Sequence, residues 1–157
     1  HGSSTVPRYI VDEINALGGN IQNAYGISKE ELKAAIPCGI GKINVDTDIR
    51  LAVTRNFREL FRDHPELKDD PKAGGVWKLL DEKRDAFDPR AFLAPIMDTV
   101  MYGTGDEGAV ARITDAMRRG VKEAVGTLIV EFGSYGKAPL VEPATLEDMA
   151  ARYAKEG

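Results

Sequence analysis

A chain of 157 residues, 43% hydrophobic and 29% charged, is long enough for one globular core and gives no reason to expect two. Its formal charge of −4 argues against a nucleic-acid surface, which calls for an excess of Lys and Arg, so any phosphate recognition has to be local. No apolar run approaches the roughly 18 residues of a membrane span and the opening residues carry no secretory signal pattern, so no membrane partner is expected and the expected compartment is the cytoplasm.

Residues 1 to 5 are small and polar. Pro7 follows where a first helical turn tolerates it, so a helix is expected from Val6 to Leu17 with Ser4 or Thr5 as its N-cap. Ile10, Val11, Ile14 and Leu17 fall three and four apart on one face, and Gly18-Gly19 supplies the stop. Ser28-Lys29-Glu30-Glu31 reads as a capping box opening a short helix through Ile36, which Pro37 and Gly39 end. The single cysteine, Cys38, rules out an internal disulfide framework, and without neighbouring Cys or His it reads as a small buried hydrophobe.

A strand is expected from Ile40 to Asp46. Its surroundings alternate at a period of two, with Lys42, Asn44, Asp46 and Asp48 on one face and Ile43, Val45 and Thr47 on the other. The polar residues become denser toward the C-terminal end, just ahead of a strong helix, as in a barrel strand that delivers residues to an active site. Alternation alone fits an edge strand with a solvated face equally well. Asp48 is expected to cap a helix from Ile49 to Asp63 whose stripe, including Ala52, Val53, Phe57, Leu60 and Phe61, would cover a sheet or barrel wall.

His64, alone in a polar turn, reads as a solvated surface residue rather than a metal ligand. Residues 66 to 87 read as an inserted excursion whose apolar island is Trp77, Leu79 and Leu80. Asp88-Pro89 should cap a further helix carrying Phe92, Leu93, Ile96, Met97, Val100 and Met101, kinked at Pro95. A longer helix is expected from Glu107 with Val110, Ile113, Met117, Val121, Val125, Leu128 and Ile129 as its core stripe, and a last short one from Thr145 with Asp148 completing a weak cap.

Two constellations could carry chemistry. Gly103-Thr104-Gly105-Asp106-Glu107-Gly108 fits the dinucleotide fingerprint, but residues 89 to 102 have helical rather than strand spacing, and Asp106 and Glu107 would repel a pyrophosphate, so a helix-to-helix turn is the better account. The second is His1-Gly2-Ser3-Ser4 with Asn44-Val45-Asp46-Thr47-Asp48. A histidine beside a flexible Gly-Ser loop can offer a metal ligand, backbone N–H groups and a hydroxyl to a phosphate.

His1-Gly-Ser-Ser-Thr-Val-Pro7, Glu13-Ile14-Asn15, Tyr25-Gly26-Ile27, the run from Lys42 to Ala52 and Asp88-Pro89-Arg90 together resemble the C-terminal part of class II fructose-bisphosphate aldolases, most of all the type found in Calvin-cycle organisms. The likeness is specific over residues 1 to 63, returns at 88 to 95 and around Phe132-Gly133, and is weak through 66 to 87 and 101 to 125. It implies an α/β fold, the C-terminal part of a (β/α)8 barrel plus C-terminal helices, in a single domain. It also implies cleavage of fructose 1,6-bisphosphate into dihydroxyacetone phosphate and glyceraldehyde 3-phosphate, in glycolysis, gluconeogenesis or the Calvin cycle, by a dimeric or tetrameric enzyme.

Residue by residue, His1 matches a zinc-ligating histidine, and Gly2 and Ser4 match residues at the dihydroxyacetone phosphate group and its monovalent cation. Asn44 matches a residue contacting the substrate near its reacting carbons, and Asp46 and Thr47 match further phosphate-site residues. Ser3 departs from the Gly-Gly-Ser of some members. The family's other zinc ligands and the acidic residue of its catalytic loop have no counterpart in these 157 residues, so the chain alone is expected to be inactive. Two other readings stay open: an aldolase for another ketose phosphate, and a non-catalytic α-rich interaction fragment.

Overall fold

The computed structural model describes residues 5–141 and 143–156. Helix α1 (Arg8–Ala16) buries Ile10, Val11 and Ile14, as their spacing requires. Its N-cap position is held by Pro7 without a side-chain bond, because Thr5, an expected cap, spends its hydroxyl on Asp48. Gly18 ends the helix at φ +88, and the Gly19 N–H reaches back to the Ile14 carbonyl at 2.9 Å.

Helix α2 (Lys29–Ala35) opens on the expected capping box: the Glu31 N–H donates to Ser28 Oγ at 3.2 Å, and the Ser28 N–H donates to the Glu31 carboxylate at 2.9 Å. It buries none of its residues, and a 3-10 turn over Ile36–Cys38 follows, ended by Gly39. Cys38 is therefore exposed, correcting the expectation of a buried hydrophobe: its element presents no buried face.

Helix α3 (Thr47–Asp63) is the spine of the molecule and buries ten residues over its 17. On one side Val53, Phe57 and Phe61 meet Val76, Phe92 and Ile113; on the other Leu51 and Ala52 meet Ile10, Ile14 and Ala124. The stretch 66–87, expected as an inserted excursion, contributes to this core through a 3-10 turn, Pro65–Asp69, and helix α4 (Ala73–Glu82), which bury Leu67, Ala73, Val76 and Leu80. Trp77 packs on Phe61 with centroids 5.4 Å apart, under the ammonium of Lys68 at 3.9 Å.

The single kinked helix expected after Asp88 is instead two 3-10 turns, Pro89–Ala91 and Ala94–Ile96, and a short helix α5 (Met97–Tyr102). Pro89 and Pro95 each remove an N–H donor that a continuous helix would need. Phe92 still reaches the core, edge-on to Phe57 at 5.9 Å. Helix α6 (Gly108–Glu131) packs along α3. Its buried side is Ile113, Ala116, Gly120 and Ala124, whereas Val121, Val125 and Ile129 of the expected stripe are exposed. A reciprocal box between Thr145 and Asp148 caps α7 (Leu146–Glu156).

The expected strand is not formed. Residues 40 to 46 run without regular structure, and among the described residues the only β pairing is an isolated parallel bridge between Thr5 and Ile27. A strand satisfies its N–H and C=O groups only through a neighbour. These residues lie beside none, so the α/β character expected of the fold is not displayed among the described residues.

Candidate functional site

The alternation from residue 42 to 47 survives without a ladder. Lys42, Asn44 and Asp46 are exposed, while Ile43, Val45 and Thr47 are half-buried. Thr47 is the first residue of α3, and Asp46 occupies its N-cap position without a side-chain cap bond. Asp48, expected as the cap, instead lies in the first turn, 4% exposed, where it accepts a hydrogen bond from Thr5 Oγ1. That bond joins positions 43 apart in sequence and ties the segment next to Ser4 to the first turn of α3.

A second brace comes from charge. Arg50, one turn beyond Asp46, grips its carboxylate with Nε at 2.7 Å and Nη2 at 2.6 Å. The third nitrogen of the same guanidinium, Nη1, donates to Asp88 Oδ2 at 2.5 Å. Asp88 also accepts from Arg90, through Nε at 3.0 Å, Nη2 at 2.5 Å and the backbone N–H at 3.0 Å. The side-chain bonds from Arg90, followed by its backbone N–H and the charge of Arg50, outweigh burial and bring the Asp88 carboxyl down to about 2. Asp46, Arg50, Asp88 and Arg90 thus alternate in sign along one run, and Thr54 Oγ1 fastens the same region by donating to the Phe87 carbonyl at 2.8 Å.

Of the residues singled out in the sequence, Asn44, Asp46 and Thr47 lie on one short stretch at the head of α3. Among the described residues no hydrogen bond engages the side chains of Asn44 or Thr47, which leaves an amide and a hydroxyl for a ligand. His1, Gly2 and Ser4 lie outside the described residues. Thr5, Arg50 and Asp88 were not foreseen as organisers of the site. The i,i+4 spacing of Asp46 and Arg50 was a local signal for one of these contacts, whereas the other two need the fold.

Among the described residues no group of three or more His, Cys, Asp and Glu side chains could hold a metal ion. His64 is half-exposed and faces Glu66 at 3.3 Å. The glycine-rich segment is a helix-to-helix turn, with Gly103, Gly105 and Gly108 in left-handed conformations between α5 and α6. Asp106, in that turn, is held by Thr114 and by Arg118 Nη2 at 2.8 Å.

The chain matches the family model described as fructose-bisphosphate aldolase class-II over residues 1–137, and it belongs to that family. Among its curated relatives, the fructose-bisphosphate aldolase class 2 of Synechocystis sp. is 34% identical over 155 residues, covering 99% of this chain and 32% of the relative. Fructose-bisphosphate aldolase 2 of Cereibacter sphaeroides is 33% identical over 98% of this chain and 32% of its own length, and the fructose-bisphosphate aldolase of Xanthobacter flavus 34% identical over the same shares. The chain spans about a third of the length of these relatives.

Proposed function

We propose that this chain supplies the last strand-and-helix units of a (β/α)8 barrel and, with them, the dihydroxyacetone-phosphate end of a class II aldolase site. The reaction is cleavage of fructose 1,6-bisphosphate to dihydroxyacetone phosphate and glyceraldehyde 3-phosphate. The observation that carries the reading is the Thr5–Asp48 hydrogen bond. Ser4 is one peptide bond from Thr5, and Thr47 is adjacent to Asp48, so this bond supports convergence of the two hydroxyls on one ligand.

The residues divide the work by their hydrogen-bonding capacity. Ser4 and Thr47 donate hydroxyls to phosphate, Gly2 lets the backbone approach it, and the head of a 17-residue helix adds backbone N–H groups and a partial positive charge. Ionised Asp46 accepts only and would repel a bare phosphate. Its carboxylate is already committed to Arg50, so it acts by holding that guanidinium and by accepting from a substrate hydroxyl. Asn44 both donates and accepts, which suits contact with the substrate near the carbons that part. His1 is this chain's contribution to a zinc site whose remaining ligands come from outside these 157 residues, and Gly2 and Ser4 also face a monovalent cation. The enzyme is cytoplasmic and acts as a dimer or tetramer. No helix among the described residues is long and apolar enough to cross a membrane.

The complete protein, assayed against a panel of ketose bisphosphates, should cleave fructose 1,6-bisphosphate best and lose activity to a zinc chelator. Asp46→Ala should lower kcat at least tenfold, of the order expected when a group organising the reacting end is lost. Preference for another ketose phosphate moves the substrate within the family; no cleavage of any member of the panel overturns the aldolase reading.

A further inference from the structure

Two helix ends meet at Lys29. It is the first residue of α2, and its Nζ donates at 2.9 Å to Oε1 of Glu131, the last residue of α6 and 102 positions away. The two side chains are only 23% and 18% exposed, and the ring of Tyr9 lies 5.8 Å from the ammonium. Burial lowers the Lys29 pKa and is the largest single influence, but the Glu131 bond and charge, Tyr9 and the Asp48 carboxylate together raise it. The other Glu131 oxygen is buried and has no hydrogen-bond partner among the described residues. Beside the pair lies a cleft of about 250 Å³ lined by Thr5, Tyr9, Ile27 and Lys29 among others.

Stability alone does not account for this arrangement. Taking two charges largely out of water is costly, and apolar residues of similar size would serve the packing as well or better. The pair joins the first residue of α2 to the last residue of α6. Ile27, two residues before Lys29, bridges Thr5, and Thr5 holds Asp48 beside Thr47. A continuous physical path therefore runs from the end of α6 to the head of α3, by way of the residue next to Ser4.

We propose that Glu131, acting through Lys29, is a positioning residue for the phosphate site, holding α2 so that the Ile27–Thr5 bridge keeps Thr5 on Asp48. This rests on the phosphate-site reading above, which nothing in the pair itself establishes. Glu131 touches no substrate in this scheme; it sets the geometry of residues that do.

The test uses the complete enzyme carrying Glu131→Gln, Lys29→Met, the double variant and Lys29→Arg, with inorganic phosphate binding measured by calorimetry beside kcat and KM for fructose 1,6-bisphosphate. Each single variant should weaken phosphate binding and raise KM about tenfold while kcat stays within about threefold. The double variant should be no worse than either single one, because both break the same contact. Lys29→Arg, which keeps the charge and the reach, should stay near the parent. Unchanged phosphate affinity and KM in folded variants, or losses that add in the double variant, overturn the proposal, whatever happens to thermal stability. Should Glu131→Gln fail to fold, Lys29→Gln against Lys29→Arg gives the same comparison with the same two outcomes. A parent that binds phosphate but cleaves no ketose bisphosphate sinks the aldolase reading while leaving the role of Glu131 decided by binding; a parent that cleaves the substrate but binds no phosphate leaves the aldolase reading standing and overturns the role of Glu131.

Discussion

Asp88 sits between the guanidinium groups of Arg50 and Arg90, and its carboxyl ionises near 2 instead of near 3.8. In the unfolded chain it would bind a proton at higher pH than in the folded one, so its contribution to stability is fully present above about pH 4 and is lost as the pH falls toward 2. After solvent screening the contribution is on the order of 1 kcal/mol. Asp88→Asn should therefore lower the denaturation midpoint at pH 7 and have little effect at pH 2; an equal loss at both would show that charge is not what Asp88 provides. Arg58 presents the opposite case. It is 1% exposed, donates from Nη2 to the Leu80 carbonyl at 2.9 Å, and leaves Nε and Nη1 without hydrogen-bond partners among the described residues. Replacing an unmatched buried charge by a side chain of similar length removes a desolvation cost, so Arg58→Met should cost less than about 1 kcal/mol or stabilise, while Arg58→Ala should lose roughly 2 kcal/mol or more by opening a cavity. Urea midpoints would separate the two, and equal losses would contradict this account. Asp46 and Thr47 were legible as site candidates because a polar alternation and a helix start lie in one short run. Thr5 and Asp88 were not, because their partners are 43 and 38 positions away.

At the scale of elements, α3 and α6 approach closely at Gly120. A Cβ there would stand 2.7 Å from Val53 Cα and 2.9 Å from the Ala52 carbonyl oxygen, both backbone atoms that cannot swing aside. Gly120→Ala should therefore destabilise by roughly 1–3 kcal/mol although alanine is the better helix former. Gly126, on the same helix, has nothing within 4 Å of its Cβ position, and Gly126→Ala should stabilise by up to about 1 kcal/mol. Thermal denaturation of the two variants side by side checks the pair, and a stable Gly120→Ala would refute the close crossing. This crossing also explains why the sequence misled about α6. Its large residues Val121, Val125 and Ile129 look like a core stripe, but a helix drawn this close buries the small face of Ala116, Gly120 and Ala124 instead. The boxes at Ser28 and Thr145 were readable because cap and partner are three residues apart, and the two prolines after Asp88 broke a helix that periodicity alone had joined.

At the scale of the whole molecule, the segment 42–47 keeps the side-chain alternation of a strand but has no strand beside it among the described residues. Pattern is a property of one stretch, whereas pairing depends on a second, and that second stretch is not among the described residues. Apolar residues on α6 and α7, Val125, Ile129, Leu146 and Tyr153 among them, are likewise left exposed by the described residues. Family membership, in contrast, was readable from the motifs of residues 1 to 63, and the match over residues 1–137 bears it out. The central claim is that Ser4 and Thr47 meet on one phosphate, with Thr5 and Asp48 as the hinge between them. The most direct measurement is the affinity of the complete enzyme for fructose 1,6-bisphosphate in Ser4→Ala and Thr47→Ala, with bound zinc quantified in the same samples. Each variant should bind substrate more weakly by roughly 1–3 kcal/mol, the loss of one hydrogen bond to a charged group, and keep its zinc. Normal substrate binding in both, or loss of zinc from either, would mean that the two hydroxyls do not share a ligand and that residues 42 to 48 are only a polar-faced edge.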